Sequence, residues 1–216
     1  LLLRATIDPG DRVAYPVPTY SLYRTLVAVQ GGVAVEVPYP DDFSVPPALA
    51  SADARVTFLC NPNSPSGTLV PLAGVEALAR QLRGLLVVDE AYVDFAETTA
   101  LGLVGRVDNV VVLRTFSKSF SLAGLRVGLA FAVPELLAGL RTVKDSYNLN
   151  RLSQAAALAA LEDLAAMEAN VARIRATRAV LSAGLVRLGF VVLPSEANFV
   201  LARRPGGDLA PLAATL

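Results

Sequence analysis

Lys118 is one of only two lysines in a chain of 216 residues, and its position suggests a chemical role. It lies between two serines in the stretch "RTFSKSFSLAGLRVGLA", shortly after the apolar run "VVVL". A lysine that leaves the buried end of a strand is a candidate for Schiff-base chemistry. Ser117 and Arg126, in the same stretch, could bind an anion beside it. An ordinary ion pair with a carboxylate explains Lys118 equally well when it is considered alone.

Two further segments place polar residues directly after apolar runs. In "LLVVDEAYVDF", Asp89 follows four apolar residues, so its carboxylate is expected at the end of a buried strand, where an unpaired charge is costly. A helix N-cap or a structural salt bridge would also explain Asp89. The segment "CNPNSPSG", from Cys60 to Gly67, has the composition of an irregular loop with exposed backbone donors, or of an ordinary turn.

The three segments together are more specific than any one of them. A strand-end lysine, a strand-end aspartate and a serine–arginine pair are the groups needed to hold pyridoxal phosphate. The lysine forms an imine with the aldehyde, the aspartate keeps the pyridine nitrogen protonated, and the serine and arginine bind the phosphate. The pattern therefore predicts a site for this cofactor.

The composition of the chain argues against several other classes of function. Hydrophobic residues make up 54% of the chain and charged residues 18%, which is typical of a well-buried globular protein. Nineteen basic residues balance nineteen acidic ones, so no net field favours nucleic acid or an anionic membrane. The absence of histidine excludes histidine triads and histidine metal sites within the chain, and no metal is expected. The single cysteine, Cys60, excludes an internal disulfide and favours a reducing, cytoplasmic setting.

Short apolar runs alternate with helical patterns over the first 150 residues. The predicted strands, several of them continuously apolar as in a sheet buried on both faces, are Val13–Tyr15, Val33–Val37, Val56–Cys60, Leu85–Asp89, Val110–Leu113 and Val127–Ala132. The predicted helices are Tyr20–Gln30, Leu72–Leu82 and Pro134–Lys144. This alternation predicts an α/β fold with a mainly parallel sheet flanked by helices, in which ligands lie beyond the carboxyl ends of the strands.

The pattern changes near residue 150. One long helical segment is predicted from Arg151 to Leu188, followed by two short strands in "GFVVLPSEANFVLARR". We therefore expect a large domain over residues 1–150 and the beginning of a small α+β domain over residues 151–216. The opening "LLLRATIDPGDR" resembles the last turns of a helix, and the final segment "APLAATL" breaks off inside a helical pattern. The chain is therefore expected to be a fragment that is open at both ends. Neither a signal peptide nor a membrane-spanning run is predicted.

Several segments, which together cover essentially the whole chain, resemble one known family. They are "PGDRVAYPVPTYSLY", "NPNSPSG", "VVDEAY", "TFSKSFSLAGLRVG" and "YNLNRLSQAAALAAL". The chain resembles the class I/II (fold type I) pyridoxal-phosphate aminotransferases, and most closely the histidinol-phosphate aminotransferases. The lysine and "DEAY" segments are specific to the superfamily, whereas "YNLNRLSQAAALAAL" and "NFVLAR" indicate the histidinol-phosphate branch.

The resemblance implies a role for each residue at a matching position. Lys118 would be the lysine that holds pyridoxal phosphate and then moves the proton of the substrate Cα. Asp89 would pair with the pyridinium nitrogen, and Tyr92 would hydrogen-bond the phenolic oxygen of the cofactor. Ser117 and Arg126 would bind its phosphate.

Two more positions follow from the resemblance, and one of them departs from the family pattern. Tyr20 would stack its ring on the pyridine face, although a tyrosine covering a hydrophobic seam is the ordinary interpretation. The family loop usually ends Asn-Pro-Thr/Ser-Gly, and its asparagine donates to the phenolic oxygen. Here Ser64 occupies that position, so the contact is lost, made through water, or taken over by Asn63 or Asn61.

The implied function is transamination between histidinol phosphate or imidazole-acetol phosphate and glutamate or 2-oxoglutarate, in histidine biosynthesis. A cytoplasmic homodimer with small-molecule substrates, and without nucleic-acid or membrane partners, is expected. Threonine-phosphate decarboxylases and aromatic or broad-range aminotransferases share the fold and are alternatives. A second alternative is a non-catalytic cofactor-binding module, such as one fused to a DNA-binding regulator. The last alternative is an α/β domain in which the lysine has no function at this position.

Overall fold

A computed structural model of the protein describes residues 1–210, 214 and 215. Residues 211–213 and 216, which belong to the predicted C-terminal helical segment, lie outside the described residues. The strands of the described part are β1 Arg12–Val17, β2 Val33–Pro38, β3 Val56–Cys60, β4 Leu85–Asp89, β5 Val110–Thr115, β6 Gly128–Phe131, β7 Val191–Val192 and β8 Ala202–Arg203.

Six of these strands form one sheet in the order β2-β1-β3-β4-β5-β6. Neighbours from β2 to β5 pair in parallel, whereas β6 runs antiparallel to β5. The predicted mainly parallel sheet is therefore confirmed. Strands β7 and β8 pair antiparallel in a separate two-stranded sheet, as the two short strands near the C-terminus predicted.

The α-helices of the described part are α1 Leu2–Thr6, α2 Leu22–Val29, α3 Leu72–Gln81, α4 Pro134–Thr142, α5 Arg151–Glu162 and α6 Leu164–Arg187. The prediction of one uninterrupted helical segment from Arg151 to Leu188 is wrong at Asp163. This residue leaves the helical conformation (φ −118°, ψ 58°), and its side chain accepts a hydrogen bond from the Ala166 N–H. Asp163 therefore ends α5 and caps α6, as short polar side chains do at helix starts.

Hydrophobic clusters cover both faces of the large sheet. Leu86 of β4 belongs to the cluster that includes Val75 of α3, whereas its neighbour Val87 belongs to the cluster that includes Val27 of α2. Successive residues of a strand point to opposite faces, so a strand buried on both sides must be apolar throughout. The predicted placement of helices on both faces is confirmed. The division into two domains near residue 150 stays a prediction.

The connection from α3 into β4 shows why a glycine stands at position 84. A Cβ built on Gly84 would lie 2.4 Å from the carbonyl oxygens of both Ala54 and Arg55. Only a residue without a side chain allows the chain to enter β4 beside β3 at this distance. Within the described residues, no helix combines the length and the apolar character needed to cross a membrane.

Candidate active site

Three parallel strands end together at one edge of the sheet, which we call the carboxyl edge. Cys60 of β3 pairs with Asp89 of β4, and Asp89 pairs with Leu113 of β5. The backbone of the next residues continues this alignment, because the Asn61 N–H donates to the Asp89 carbonyl at 2.9 Å and the Glu90 N–H donates to the Leu113 carbonyl at 2.8 Å. The loops that follow the three strands therefore begin side by side.

Asp89 is the last residue of β4 and is partly buried. The Tyr23 hydroxyl donates to its Oδ2 at 2.6 Å, and the Ala91 backbone N–H donates to its Oδ1 at 3.2 Å. Burial raises the pKa of the Asp89 carboxyl, while these two hydrogen bonds and the charge of Lys118 oppose the rise. Asp89 forms no ion pair with the residues that the structure describes. The carboxylate is therefore suited to a cationic ligand.

Lys118 follows β5 and is partly buried above Tyr92. Its Nζ lies 5.0 Å from the centroid of the Tyr92 ring, which is within the range of a cation–π contact. Ser119 is buried and its hydroxyl hydrogen-bonds Asp94 Oδ2, so the segments that carry Lys118 and Tyr92 are tied together. The ion pair that would explain Lys118 as an ordinary lysine is not found among the described residues.

Ser117 and Arg126 lie on the two arms of the turn between β5 and β6. The Phe116 N–H donates to the Val127 carbonyl at 3.1 Å, and the two predicted phosphate ligands lie next to this bonded pair. Arg126 is exposed, adopts a left-handed conformation (φ 56°, ψ 43°), and donates from Nη1 to the Ala123 carbonyl at 2.8 Å. Its other guanidinium N–H groups have no protein partner in the described part of the chain. The turn therefore presents a hydroxyl and a guanidinium from adjacent arms.

The asparagines of the loop from Cys60 to Gly67 are hydrogen-bonded mainly to neighbouring segments of the protein. The Val70 N–H donates to Asn61 Oδ1 at 2.7 Å, and Asn61 Nδ2 donates back to the Val70 carbonyl at 3.0 Å. The Thr19 hydroxyl donates to Asn63 Oδ1 at 2.9 Å, and Asn63 Nδ2 donates to two further oxygens. Both amides are occupied by hydrogen bonds to protein groups, so neither is free to replace the family asparagine. The hydroxyl of Ser64, by contrast, makes no hydrogen bond with the described residues.

A cavity of about 410 Å³ lies along one face of the sheet, between α1, α2, α4 and the strands β5 and β6, and reaches Asp89 at one end. Tyr20, Tyr23, Phe58 and Asp89 are among its lining residues, so the structure brings two of the predicted site residues, Tyr20 and Asp89, to one space. The other predicted site residues lie outside its lining: Ser64, Tyr92, Ser117, Lys118 and Arg126. Lys118, over the Tyr92 ring, is close enough to Asp89 for its charge to lower the pKa of that carboxyl.

Sequence reasoning missed two residues of this region, Tyr23 and Glu90. Tyr23 lies three positions after Tyr20 on the apolar side of α2, where a tyrosine is ordinarily a core residue. The sequence feature that could have indicated its role is the hydroxyl, which needs a hydrogen-bond partner when the ring is buried. Glu90 directly follows Asp89 and is buried against Arg114, with 3.0 Å between Oε2 and Nε.

A parallel sheet whose carboxyl edge carries a lysine over a tyrosine ring and a partly buried aspartate matches the large domain of the fold type I aminotransferases. The chain belongs to the aminotransferase class I and II family, whose sequence model matches residues 1–212. The family resemblance drawn from the sequence is confirmed.

Individual relatives carry more specific names. The chain is 47% identical over 209 residues to histidinol-phosphate aminotransferase 1 of Trichormus variabilis, covering 96% of this chain and 60% of that protein. It is 48% identical over 207 residues to the histidinol-phosphate aminotransferase of Citrifermentans bemidjiense, covering 96% of this chain and 59% of that protein. The crystal structure of histidinol-phosphate aminotransferase from Sinorhizobium meliloti in complex with pyridoxal-5'-phosphate superposes with a TM-score of 0.90 at 30% identity, covering 99% of this chain and 60% of that one. The chain thus spans about three fifths of the length of these relatives.

Proposed function

We propose that the full-length protein is a pyridoxal-phosphate-dependent aminotransferase and that this chain carries most of its cofactor site. The observation that carries the proposal is the grouping of Lys118, Tyr92 and Asp89 at the carboxyl edge, with the lysine amine 5.0 Å from the tyrosine ring centroid. The substrates are histidinol phosphate or imidazole-acetol phosphate with 2-oxoglutarate or glutamate, in histidine biosynthesis. Relatives named for that activity at 47% and 48% identity support this choice.

The residues present fit the cofactor in type and in charge. Asp89 is a carboxylate with a raised pKa and two neutral donors, and it forms no ion pair with the residues that the structure describes, so a protonated pyridine nitrogen would supply a direct positive partner. Tyr20, exposed by 46%, would stack its ring on the pyridine.

The phosphate and the phenolic oxygen also have matching groups. Ser117 and Arg126 would bind the phosphate, since a hydroxyl and a guanidinium on adjacent arms of one turn give charge-assisted hydrogen bonds. Tyr92 would donate to the phenolic oxygen. Ser64 would reach the same oxygen directly or through water. Its hydroxyl has no hydrogen-bond partner among the described residues, whereas the side chains of Asn61 and Asn63 are both hydrogen-bonded.

Pyridoxal phosphate, when bound, supplies an electron-withdrawing ring that stabilises negative charge developing at the substrate Cα. The protein's own residues set up this chemistry. Asp89 would hold a proton on the ring nitrogen, which would keep the ring electron-poor. Lys118 Nζ, which lies over the Tyr92 ring, would take the proton from the substrate Cα.

We further propose that the protein acts as a cytoplasmic homodimer on small molecules, with neither nucleic acid nor membrane as a partner. The equal numbers of acidic and basic residues support the absence of a nucleic-acid or membrane surface. The unpaired, buried Cys60 is consistent with a reducing compartment.

Borohydride trapping on the full-length protein tests the proposal. With pyridoxal phosphate, the wild type is expected to show a visible absorption band and, after reduction, one cofactor adduct on Lys118 by peptide mass analysis. Lys118→Ala should lack both, and Lys144→Ala, the other lysine of the chain, should retain both. No band or adduct in the wild type at saturating cofactor would overturn the proposal.

The substrate is tested next on the same preparation. Histidinol phosphate is expected to bleach the visible band and 2-oxoglutarate to restore it, in half-reactions that conserve the amino group. Release of carbon dioxide from O-phosphothreonine, without bleaching by histidinol phosphate, would instead indicate the decarboxylase.

A further inference from the structure

Tyr23 is held rigidly at the centre of an aromatic cluster beside the carboxyl edge. It lies on α2, is 4% exposed, and its ring stacks on Phe58 of β3 with centroids 4.6 Å apart and planes at 14°. Tyr15 of β1 packs against it at 5.8 Å. A ring enclosed in this way has one orientation, so its hydroxyl is fixed in place.

The fixed hydroxyl points at Asp89. It donates to Oδ2 at 2.6 Å, while the Ala91 N–H donates to Oδ1, so each carboxylate oxygen has one donor and the plane of the group is set. Burial first, and then the neighbouring Cys60 and Asp89, raise the pKa of the Tyr23 phenol well above its usual value. The phenol therefore keeps its proton at neutral pH and remains a donor.

The same ring also contacts Tyr20. The two rings meet edge to face, with centroids 5.5 Å apart and planes at 86°. Tyr20 and Asp89 line one cavity, and they are the groups proposed above for the face and the nitrogen of the pyridine ring. One buried side chain thus touches both.

We propose that Tyr23 is a positioning residue that sets the Asp89 carboxylate through its hydroxyl and the Tyr20 ring through their edge-to-face contact, and so aligns the pyridine ring of the cofactor. This inference rests on the proposed function. Tyr23 itself is separated from the reacting atoms by the groups that it positions. Its hydroxyl and its ring act on different partners, and they can be removed separately.

Removing the hydroxyl alone, with Tyr23→Phe, leaves the packing intact and takes one of two donors from Asp89. The groups that face this carboxylate are the Tyr23 hydroxyl, the Ala91 N–H, the Lys118 ammonium and the Cys60 thiol. With one donor lost, the pKa of Asp89 rises further and its anionic form holds a pyridinium less well. Cofactor affinity is expected to fall on the order of 10-fold, as for one hydrogen bond to a charged group. Tyr23→Leu removes the ring edge as well and should weaken binding further.

Tyr15→Phe is the matched control. Tyr15 is 2% exposed and belongs to the same cluster, but its hydroxyl hydrogen-bonds Glu36 Oε1 at 3.0 Å and does not touch Asp89. Both substitutions remove one buried tyrosine hydroxyl from the same aromatic cluster. Only one of them removes a donor from the proposed cofactor site.

The test measures the dissociation constant of pyridoxal phosphate, and the pH dependence of its visible band, in the full-length protein. Tyr23→Phe should bind on the order of 10-fold more weakly than the wild type with a shifted titration of the band, whereas Tyr15→Phe should match the wild type. In an Asp89→Asn background, Tyr23→Phe should have little further effect, because it acts through that carboxylate. Equal cofactor affinity in Tyr23→Phe and Tyr15→Phe would overturn this inference but not the proposed function. The same would follow if the effects of Tyr23→Phe and Asp89→Asn on cofactor affinity were fully additive. Absence of binding by the wild type would overturn the proposed function and this inference with it.

Discussion

Asp89 and Glu90 are consecutive carboxylates at the carboxyl edge, yet their surroundings differ completely. The Glu90 side chain is 0% exposed; it pairs with Arg114 Nε at 3.0 Å and accepts from the Thr99 hydroxyl with both oxygens, at 2.8 and 2.9 Å. Asp89 has the Tyr23 hydroxyl and one backbone N–H, and a cavity on its open side. One carboxylate is saturated by the protein, and the other is not.

The difference separates a structural charge from a functional one. A buried carboxylate with a cation and several donors is satisfied by the fold, and removing it leaves its partners unpaired. A partly buried carboxylate that forms no direct ion pair among the described residues has its pKa raised by burial, which is a property of many ligand sites. Two residues that are adjacent in sequence can have such different surroundings because successive side chains at a strand end point to opposite sides of the sheet.

Asp89→Asn should produce the largest functional effect. The amide keeps the size of the side chain but cannot hold a proton on a pyridine nitrogen, so turnover with histidinol phosphate and 2-oxoglutarate should fall on the order of 10²- to 10³-fold. The unfolding free energy of the cofactor-free protein should not fall, because burial already disfavours the charged form. Steady-state kinetics and urea unfolding on the same preparation measure both. A variant that is fully active, or one that simply unfolds, would remove the distinction between the two carboxylates.

Glu90→Gln should show the opposite profile. It leaves Arg114, whose side chain is 27% exposed, and the Thr99 hydroxyl without their shared anionic partner. The unfolding free energy should fall by about 3 kcal/mol, at the low end for a broken buried pair because water reaches Arg114. Cofactor affinity measured below the unfolding transition should stay within a few-fold of the wild type. Unchanged stability together with lost cofactor binding would contradict a structural role for Glu90.

The pH dependence of stability should show a smaller effect. The pKa of Asp89 in the folded, cofactor-free protein is raised above its usual 3.8 by burial, so the folded state holds this proton more tightly than the unfolded state. The unfolding free energy of the wild type should therefore fall, relative to Asp89→Asn, as pH rises from about 4 through the raised pKa, and then stay level. Urea unfolding of both cofactor-free proteins between pH 4 and 8 measures the difference. A difference that is constant over this range, or that has the opposite sign, would mean that burial does not govern Asp89.

The sequence predicted the core of the fold closely because the strands are unambiguous apolar runs. β3 and β4 have the predicted bounds, Val56–Cys60 and Leu85–Asp89, since polar residues or glycine flank runs buried on both faces. Helix ends were less accurate: α2 begins at Leu22, two residues after the predicted start, because Tyr20 and Ser21 belong to the preceding turn. Local pattern does not fix where a turn becomes a helix.

The candidate site was predictable only where it lies directly after strands. The grouping of Lys118 with Asp89 follows from strand order, since parallel neighbours end at one edge. The contact from Tyr23 to Asp89 joins residues 66 positions apart and depends on how α2 packs across β3 and β4. No local feature of the sequence contains that packing. The hydrogen bonds of Asn61 and Asn63 depend likewise on how the loop packs against Val70 and against Pro18 and Thr19.

The most direct test of the contrast between Asp89 and Glu90 is the protonation of the bound cofactor. The ¹⁵N chemical shift of the pyridine nitrogen would be measured in full-length protein loaded with ¹⁵N-labelled pyridoxal phosphate, with Asp89→Asn and Glu90→Gln beside the wild type. The wild type and Glu90→Gln should show a protonated nitrogen at neutral pH, and Asp89→Asn an unprotonated one. An unprotonated nitrogen in the wild type, or a protonated one in Asp89→Asn, would contradict the assignment of Asp89 as the residue that holds the cofactor's positive charge.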